Sequence, residues 1–307
     1  MQSFELPLAN GGTVTGIHSI PPLSASSAQH RPLIVGLHGG CYDCQYFDAT
    51  PKYSASRQSS FFGIPFISIN RPGYGGTSCV SPIPEGSDFH HASGLMLHRH
   101  LLPKLWQEFG VSNQCNSIVL LCHSLGAMSG IVAASLHGQD MQPSYPLSGI
   151  ITSGMGATQS VSAKSTSPGF KAHGDDYVTF PSWAKDSVMF KPGTVEDEIL
   201  EQTERLNAKT PLMEVATFKD AWLPVWKEKY AAHVSTPVMF SLVDNDPFFV
   251  VTTEEVESCA RAFANSARVD GSLMTGAPHC VELSHWSQGW YARCFGFALE
   301  CAASFGK

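Results

Sequence analysis

Hydrophobic residues recur along this chain in short runs, and longer stretches of helical spacing separate most of these runs. Two alternating segments, 4–8 and 13–18, flank the turn sequence Asn10-Gly11-Gly12 and predict a β-hairpin. Apolar runs typical of buried strands follow at 33–37, 65–69, 118–122, 147–152, 238–243 and 269–275. Because buried strands that alternate with helices form parallel sheets covered on both faces, the pattern predicts an α/β fold with a mostly parallel sheet flanked by helices.

Three segments between or after these strands predict helices. Residues 88–109 carry leucine and aromatic residues at helical spacing, and Pro103 is expected to kink this helix. Thr252 and Glu255 have the spacing of a capping box, so a further helix is predicted to begin there. Ser284 is expected to cap the last helix, whose apolar residues continue almost to the end of the chain.

One stretch, residues 157–234, breaks the alternation because no run within it predicts a strand. After a Ser/Gly/Pro-rich start it holds two segments of helical spacing, 194–208 and 212–232. We therefore divide the chain into an α/β core, residues 1–156 and 235–307, and a helical insertion between its two parts. Aromatic residues of the insertion either pack it onto the core or line an apolar substrate pocket: Trp183, Phe190, Trp222 and Trp226.

Composition and charge narrow the class of protein. Hydrophobic residues make up 43% of the chain and charged residues 15%, as in globular proteins with a large core. A formal net charge of −7 disfavours nucleic acid and anionic membranes as partners. No apolar run reaches the length that spans a bilayer, and the N-terminus does not resemble a secretory signal. Nine cysteines spread over the chain, several of them in apolar runs, predict free thiols and a cytoplasmic location.

A serine lies between the apolar run at 118–122 and a helix predicted at 127–137. The segment reads Cys122-His123-Ser124-Leu125-Gly126. Small residues two positions either side of a serine, between a strand and a helix, are typical of a nucleophile elbow, whose tight turn exposes the serine oxygen. Cys122 replaces the usual first glycine of this motif. The pattern predicts that Ser124 is a nucleophile, provided that a base and an orienting acid lie beside it.

The acid and the base are predicted at two later strand ends. The last two predicted strands run into Asp244 and Asp246 and into His279, respectively. Open α/β sheets bind ligands at the carboxyl ends of their strands, so these side chains are expected to meet Ser124. Two alternatives stay open: Asp244 in place of Asp246 as the acid, and a role for His285.

Over essentially its whole length the sequence resembles the α/β-hydrolase superfamily. Besides the order serine, acid, histidine, two motifs carry the resemblance. Residues 38–40, His-Gly-Gly, resemble the family's oxyanion loop after the third strand, and residues 70–78 resemble its Arg-Pro-Gly-Tyr-Gly loop. The resemblance implies that Ser124 is the nucleophile, Asp246 the acid and His279 the general base.

The resemblance also implies the surroundings of the reaction. The backbone amides of Gly40 and Leu125 would form the oxyanion hole, and the insertion at 157–234 would be a cap that encloses the substrate. Residues that follow Gly40 or lie in the cap are expected to border the pocket: Cys41, Tyr42, Trp183, Trp222 and Trp226.

The implied function is that of a serine hydrolase or acyltransferase acting through an acyl-enzyme on an ester, thioester or lactone of an apolar small molecule, free or carrier-bound. An off-loading thioesterase or a lactone-forming cyclase uses the same chemistry. Alternatives are a carbon–carbon hydrolase or non-hydrolytic lyase on the same triad, and a ligand receptor on a hydrolase scaffold. The sequence predicts no cofactor and leaves the oligomeric state open.

Two further patterns are interpreted as structural. Cys41 and Cys44 have metal-like spacing, but no second pair matches it, so no metal site is predicted. Four histidines of the segment 88–109 are interpreted as part of a solvated helix face: His90, His91, His98 and His100. His123, before the serine, is expected to pack or hydrogen-bond beneath the elbow.

Overall fold

A computed structural model describes residues 1–26, 29–161, 163 and 169–306 of the chain. Its main sheet has eight strands in the order β1-β2-β4-β3-β5-β6-β10-β11. Their bounds are β1 Gln2–Pro7, β2 Thr13–Ser19, β3 Pro32–Leu37, β4 Phe66–Ile69, β5 Ser117–His123, β6 Leu147–Ser153, β10 Val238–Asn245 and β11 Val269–Pro278. β1 and β2 form an antiparallel hairpin, β2 is antiparallel to β4, and all other neighbours are parallel. The predicted hairpin and mostly parallel sheet are therefore confirmed.

Helices cover both faces of this sheet. In the described part of the chain they are α1 Ser56–Phe62, α2 Phe89–Met96, α3 Leu102–Leu105, α4 Leu125–Gln139, α5 Ser182–Met189, α6 Asp197–Leu200, α7 Leu212–Ala216, α8 Trp226–Lys229, α9 Thr253–Arg261 and α10 Ser287–Ser304. Alternate residues of β5 enter two hydrophobic clusters, Leu120 with residues of α4 and Leu121 with residues of α10. None of the described helices combines the length and the apolar composition needed to cross a membrane.

The helix predicted over 88–109 is present but is interrupted twice. Five-residue π turns, Leu97–Leu101 and Trp106–Gly110, stand on either side of the short helix that contains Pro103. Because proline has no N–H, the regular i→i−4 hydrogen-bond pattern cannot continue through it. The structure therefore shows a change of helix type on either side of Pro103, and the kink itself stays a prediction.

The interpretation of four histidines as a solvated face is wrong for two of them. Both His90 and His98 are buried. His90 lies in α2 with its Nε2 3.2 Å from the Thr217 hydroxyl, and His98 lies in the π turn Leu97–Leu101, which packs against α4. The ring of His98 lies between the Tyr145 hydroxyl and an Asp140 carboxylate oxygen, each 3.1 Å away. These histidines belong to the packing of the core.

Two predictions about helix starts have different outcomes. The hydroxyl of Thr252 accepts a hydrogen bond from the Glu255 N–H at 3.2 Å, so the predicted cap of α9 is confirmed. Ser284 does not cap α10, because a 3₁₀ turn, Val281–Leu283, precedes it and the helix begins at Ser287. The Ser284 hydroxyl instead accepts from the N–H of Trp286.

The segment between β6 and β10, called the cap below, is not purely helical. It contains a small antiparallel sheet that the sequence did not predict, with strands β7 Lys171–His173, β8 Tyr177–Thr179 and β9 Thr210–Pro211. The predicted stretch 194–208 contains only the short helix α6, and the predicted stretch 212–232 is divided into α7 and α8, with Pro224 between them. The cap boundaries at 157 and 234 stay a prediction, and the flanking core strands end at Ser153 and begin at Val238.

The helix α4 approaches the strands β3 and β5 too closely for ordinary side chains. A Cβ at Gly126 would lie 2.3 Å from the carbonyl oxygen of Leu37. A Cβ at Gly130 would lie 2.4 Å from the Cys122 Sγ and 3.4 Å from the Cys122 Cβ. Gly130 therefore makes room for the thiol that stands in place of the usual elbow glycine.

Gly130→Ala alone is expected to destabilise the protein by about 1–3 kcal/mol, because the new methyl group overpacks against the thiol. In a Cys122→Ala background the same change meets only ordinary contacts and gains helix propensity of about 1 kcal/mol. Urea unfolding of the four proteins measures the coupling as a double-mutant cycle. Additive effects of the two substitutions would contradict this account.

A buried polar cluster joins the core to the cap. The guanidinium of Arg71, after β4, pairs with the carboxylate of Glu214 in α7, and both side chains are almost fully buried. The Tyr74 hydroxyl contacts both groups, 3.0 Å from Arg71 Nη2. Breaking one partner of such a pair leaves an uncompensated buried charge, so this contact strongly favours the docked cap.

Glu214→Gln is expected to lower the free energy of unfolding by about 3–5 kcal/mol, since it leaves the Arg71 cation buried without its counter-charge. Denaturant titration measures the loss. Glu196→Gln is the matched control, because it breaks a pair with Lys52 whose side chains are 52% and 36% exposed and should change stability little. Equal stability of the two variants would exclude Arg71–Glu214 as an anchor of the cap.

Candidate active site

Three side chains from separate strand ends meet at the carboxyl edge of the main sheet. Ser124 follows β5, Asp246 follows β10 and His279 follows β11. His279 Nε2 lies 3.0 Å from Ser124 Oγ, and His279 Nδ1 lies 2.7 Å from Asp246 Oδ2. The other Asp246 oxygen accepts the Phe248 N–H at 2.8 Å, which fixes the carboxylate. The structure thus brings the sequence-predicted serine, histidine and acid within hydrogen-bond distance of one another.

Ser124 has the backbone conformation of a strained elbow. Its φ is +51° and its ψ −124°, a region that non-glycine residues rarely occupy. The Ser124 N–H donates to the Ser153 carbonyl at 2.8 Å, and the serine carbonyl accepts from Ala127 at 2.8 Å in the first turn of α4. Bonds to a neighbouring strand and to the following helix thus hold the turn that directs the hydroxyl at His279.

The two alternatives that the sequence left open lie elsewhere. The Asp244 carboxylate accepts the N–H of Gly276 at 2.6 Å and so ties β10 to β11. His279 takes Asp246 as its partner instead. His285 is exposed, and its backbone N–H donates to the carbonyl of Thr194.

Gly40 and Leu125 lie beside Ser124 on the wall of one cavity. Leu125 is the first residue of α4, where backbone N–H groups have no acceptor within the helix. A Cβ at Gly40 would lie 2.5 Å from Leu125 Cδ1, so the absence of a side chain lets the two segments approach. The next amide, that of Cys41, is already committed to the Thr210 hydroxyl at 2.6 Å.

His38 joins the Gly39-Gly40 segment to the loop after β4. Its Nε2 accepts the Arg71 N–H at 3.3 Å, so the ring proton is on Nδ1, which donates to the Gly39 carbonyl at 2.8 Å. Burial, and then the nearby Arg71 cation, hold the pKa of His38 well below its ordinary value of 6.5. The neutral imidazole is therefore a structural bridge between the two family-like loops.

A second buried polar cluster lies beneath the elbow, as expected for His123. Its Nδ1 is 3.0 Å from the Ser153 hydroxyl, and its ring stacks on Tyr46 at 4.9 Å between centroids. Burial lowers the pKa of His123 well below its ordinary range and raises the pKa of Glu282. Glu282 accepts hydrogen bonds from Tyr46 at 2.6 Å and from Trp290 at 2.8 Å. These hydrogen bonds hold the side chains beneath the elbow in one arrangement.

A cavity of about 980 Å³ opens over Ser124 and His279 between the core and the cap. Its walls are mainly apolar, and Lys219 is the one lysine or arginine among the described residues that line it. The core contributes Met155, Phe248 and Phe249, and the cap contributes Phe170, Phe180, Trp183, Met189 and Phe218. Such a site can enclose an apolar group next to a serine hydroxyl.

Two of the five expected pocket residues line this cavity and three do not. Cys41 and Trp183 are on its wall, with Trp183 83% exposed at the surface. The expectation for the other three is corrected, since Tyr42, Trp222 and Trp226 lie in the described hydrophobic core. Trp222 and Trp226 are fully buried and stack on each other at 6.0 Å, because their segment packs against the core.

Several cavity residues escaped the sequence analysis. Phe248 could have been found, because it follows Asp246 by two positions, and its ring centroid is 4.7 Å from that of His279. The cap residues Phe170, Phe180 and Phe218 carry no such signal. Their place depends on how the cap folds over the sheet.

Solved structures resemble this chain over nearly its full length. A soluble variant of monoglyceride lipase from Saccharomyces cerevisiae has a TM-score of 0.66 at 13% identity, over 98% of this chain and 94% of that chain. The N-acyl homoserine lactonase AidH, complexed with N-butanoyl homoserine, has 0.57 at 13%, over 100% and 99%. The thioesterase domain from the curacin biosynthetic pathway has 0.57 at 13%, over 97% and 99%. At these identities the likeness concerns the fold.

The sequence itself identifies the family. None of the curated proteins matches the chain in sequence. The family model described as the alpha/beta hydrolase family, however, matches residues 34–292, which include the strand ends that carry Ser124, Asp246 and His279. The chain therefore belongs to the alpha/beta hydrolase family.

Proposed function

We propose that this protein is a serine hydrolase that cleaves an ester, thioester or lactone with an apolar acyl part through an acyl-enzyme. The observation that carries the proposal is the pair of contacts at His279, 3.0 Å to Ser124 Oγ and 2.7 Å to Asp246 Oδ2, on the floor of an apolar cavity. Such a chain of contacts lets a base remove the serine proton while an acid holds the imidazole tautomer.

The proposed reaction has two halves. Ser124 Oγ attacks the substrate carbonyl carbon while His279 Nε2 takes the hydroxyl proton, and Asp246 stabilises the imidazolium that forms. The backbone N–H groups of Gly40 and Leu125 donate to the tetrahedral oxyanion, an effect of about 2.7–4 kcal/mol for a donor of this kind. His279 then protonates the leaving group, and water that it activates hydrolyses the acyl-enzyme.

The cavity supports an apolar acyl group and does not single out one substrate. Aromatic side chains from the core and the cap surround the space above Ser124, and Lys219 stands at an exposed position of its wall. The structurally similar lipase, lactonase and thioesterase are named for carbonyl substrates of three kinds. A hydroxyl of the bound acyl group in place of water would release a lactone, so a cyclising or carrier-unloading thioesterase falls within the same proposal.

A cytosolic site of action is part of this proposal. All nine cysteines are free, and seven of them are buried. Free cysteines are typical of proteins from reducing compartments.

Ser124→Ala is expected to lower kcat/KM for p-nitrophenyl esters of short and medium acyl chains by about 10⁴-fold or more, because no other group replaces the nucleophile. Initial rates of p-nitrophenol release measure the change. A fluorophosphonate probe should label the wild type at Ser124 and leave the variant unlabelled. Folded wild-type protein that neither hydrolyses these esters nor takes up the probe would reject the proposal and favour a ligand receptor.

Two isosteric variants are the control for the choice of the acid. Asp246→Asn should lower kcat by roughly 10⁴-fold, because it disturbs the tautomer of His279. Asp244→Asn retains an oxygen that can accept the Gly276 N–H and should stay close to the wild-type rate. Loss of activity in Asp244→Asn with retention in Asp246→Asn would reverse the assignment.

A further inference from the structure

Cys41, the residue after Gly40, has a backbone conformation that residues with a side chain rarely adopt. Its φ is +57°, in the left-handed region, and its side chain is buried. A non-glycine residue stays in this region only where the surrounding structure holds it there. The groups that hold Cys41 therefore control the backbone next to the proposed oxyanion donor.

All three hydrogen-bond partners of the Cys41 backbone belong to the cap. The Cys41 N–H donates to Thr210 Oγ1 at 2.6 Å. The Cys41 carbonyl accepts from Lys185 Nζ at 2.9 Å and from the Ala208 N–H at 3.2 Å. These partners are at least 144 positions away in sequence, so only the docked cap can supply them.

Lys185 is an unusual residue to find in this place. Its side chain is 1% exposed, and its ammonium lies 3.8 Å from the centroid of the Tyr42 ring and donates to the carbonyl of Leu206 at 2.5 Å. Burial lowers its pKa from 10.5 to about 8. Burial of a cation whose hydrogen-bond partners are carbonyl groups costs free energy of folding, whereas an apolar side chain could fill the same volume without this cost.

We propose that Lys185 and Thr210 are positioning residues that hold the oxyanion loop, residues 38–41, in its working geometry only when the cap is docked. The Thr210 bond fixes the plane of the Gly40–Cys41 peptide, and the Lys185 bond fixes the next one. Together they set the backbone angles of Cys41. The preceding Gly39–Gly40 peptide, which carries the Gly40 N–H, is held by the His38 bond to the Gly39 carbonyl, so the Thr210 and His38 bonds flank Gly40 and set the direction of its N–H. This inference rests on the proposed function of Ser124 and adds that cap docking controls the oxyanion hole.

The other end of the same loop is attached to the same part of the cap. His38 accepts the Arg71 N–H, and the Arg71 side chain pairs with Glu214, four residues after Thr210. Both ends of residues 38–41 thus depend on the cap segment around β9 and α7. An undocked cap would release the loop at both ends, so the enzyme would acylate only with the cap in place.

The test compares the loss of two threonine hydroxyls of the cap, that of Thr210, which contacts Cys41, and that of Thr203, which does not. Thr210→Val should lower kcat for p-nitrophenyl esters by roughly 10- to 100-fold, with KM changed less than about threefold, because the transition state alone uses the oxyanion hole. Thr210→Ser should restore kcat to within about threefold. Thr203→Val is the matched control, since it removes a cap hydroxyl bonded to Asp186, next to Lys185, without touching Cys41.

Hydrogen exchange at the Cys41 amide gives a readout that does not depend on activity. The exchange should be slow in the wild type, in Thr210→Ser and in Thr203→Val, and much faster in Thr210→Val. A wild-type kcat in Thr210→Val, or an equal loss of kcat in Thr203→Val, would overturn the proposal. Unchanged Cys41 exchange in Thr210→Val would overturn it as well, even if Ser124 proves to have another role.

Lys185→Met tests the contact of the ammonium with the Cys41 carbonyl. The burial of this ammonium also predicts that stability depends on pH. Because the folded state releases the Lys185 proton near pH 8 and the unfolded chain near 10.5, the unfolded chain binds more protons between these values. The stability of the wild type, relative to Lys185→Met, should therefore rise from pH 8 to pH 10. Thermal midpoints of both proteins at each pH measure this difference.

The titratable groups that face Lys185 are the same in the wild type and in Lys185→Met, so the difference between the two proteins subtracts their own titration. Burial raises the pKa of each of these groups, which are two carboxyls, two thiols and one phenol: Asp43, Asp186, Cys41, Cys280 and Tyr42. At pH 7.5 we expect Lys185→Met to be folded and to lose kcat by roughly tenfold. A full wild-type kcat in folded Lys185→Met would reject Lys185 as a positioning residue.

Discussion

The close contact between β5 and α4 is the constraint on which the rest of the site depends. It holds Ser124 at a positive φ. Gly130 makes the contact with β5 possible, and Gly126 lets α4 approach the end of β3 equally closely. The turn directs the hydroxyl away from the sheet and leaves the first amide of α4 without a helical acceptor. Because neighbouring parallel strands end at the same edge, Asp246 and His279 both reach this point, and the register of β10 and β11 shifts between Val243 and Asn245, directly before Asp246.

The cap is attached by buried polar groups as well as by apolar packing. Trp222 and Trp226 provide the apolar part, whereas Arg71–Glu214 and the contacts at Cys41 provide the polar part. Apolar contacts tolerate small displacements, but a buried charge or amide without its partner costs about 1–3 kcal/mol or more. The polar attachments therefore favour one docked position of the cap over a range of partly docked ones.

The core and the cap contribute different groups to the site. The core carries the groups that can react with a carbonyl, and the cap carries most of the walls that would contact the acyl chain. The cap also touches the backbone next to Gly40, so enclosure of the substrate and the geometry of the oxyanion loop are physically linked. Alpha/beta hydrolases with different caps can thus share the core chemistry and act on different substrates.

The sequence by itself determined the strands of the main sheet, the family and the residues that meet at the sheet edge, because strand periodicity and the elbow pattern are local and parallel strand ends converge. It could not decide between Asp244 and Asp246, since two positions along a strand end differ only in which neighbour each side chain meets. It also misplaced Tyr42, Trp222 and Trp226 and gave no sign of Lys185 or Thr210. Only the tertiary structure decided these, because they depend on how a broken, proline-interrupted cap lies on residues more than a hundred positions away.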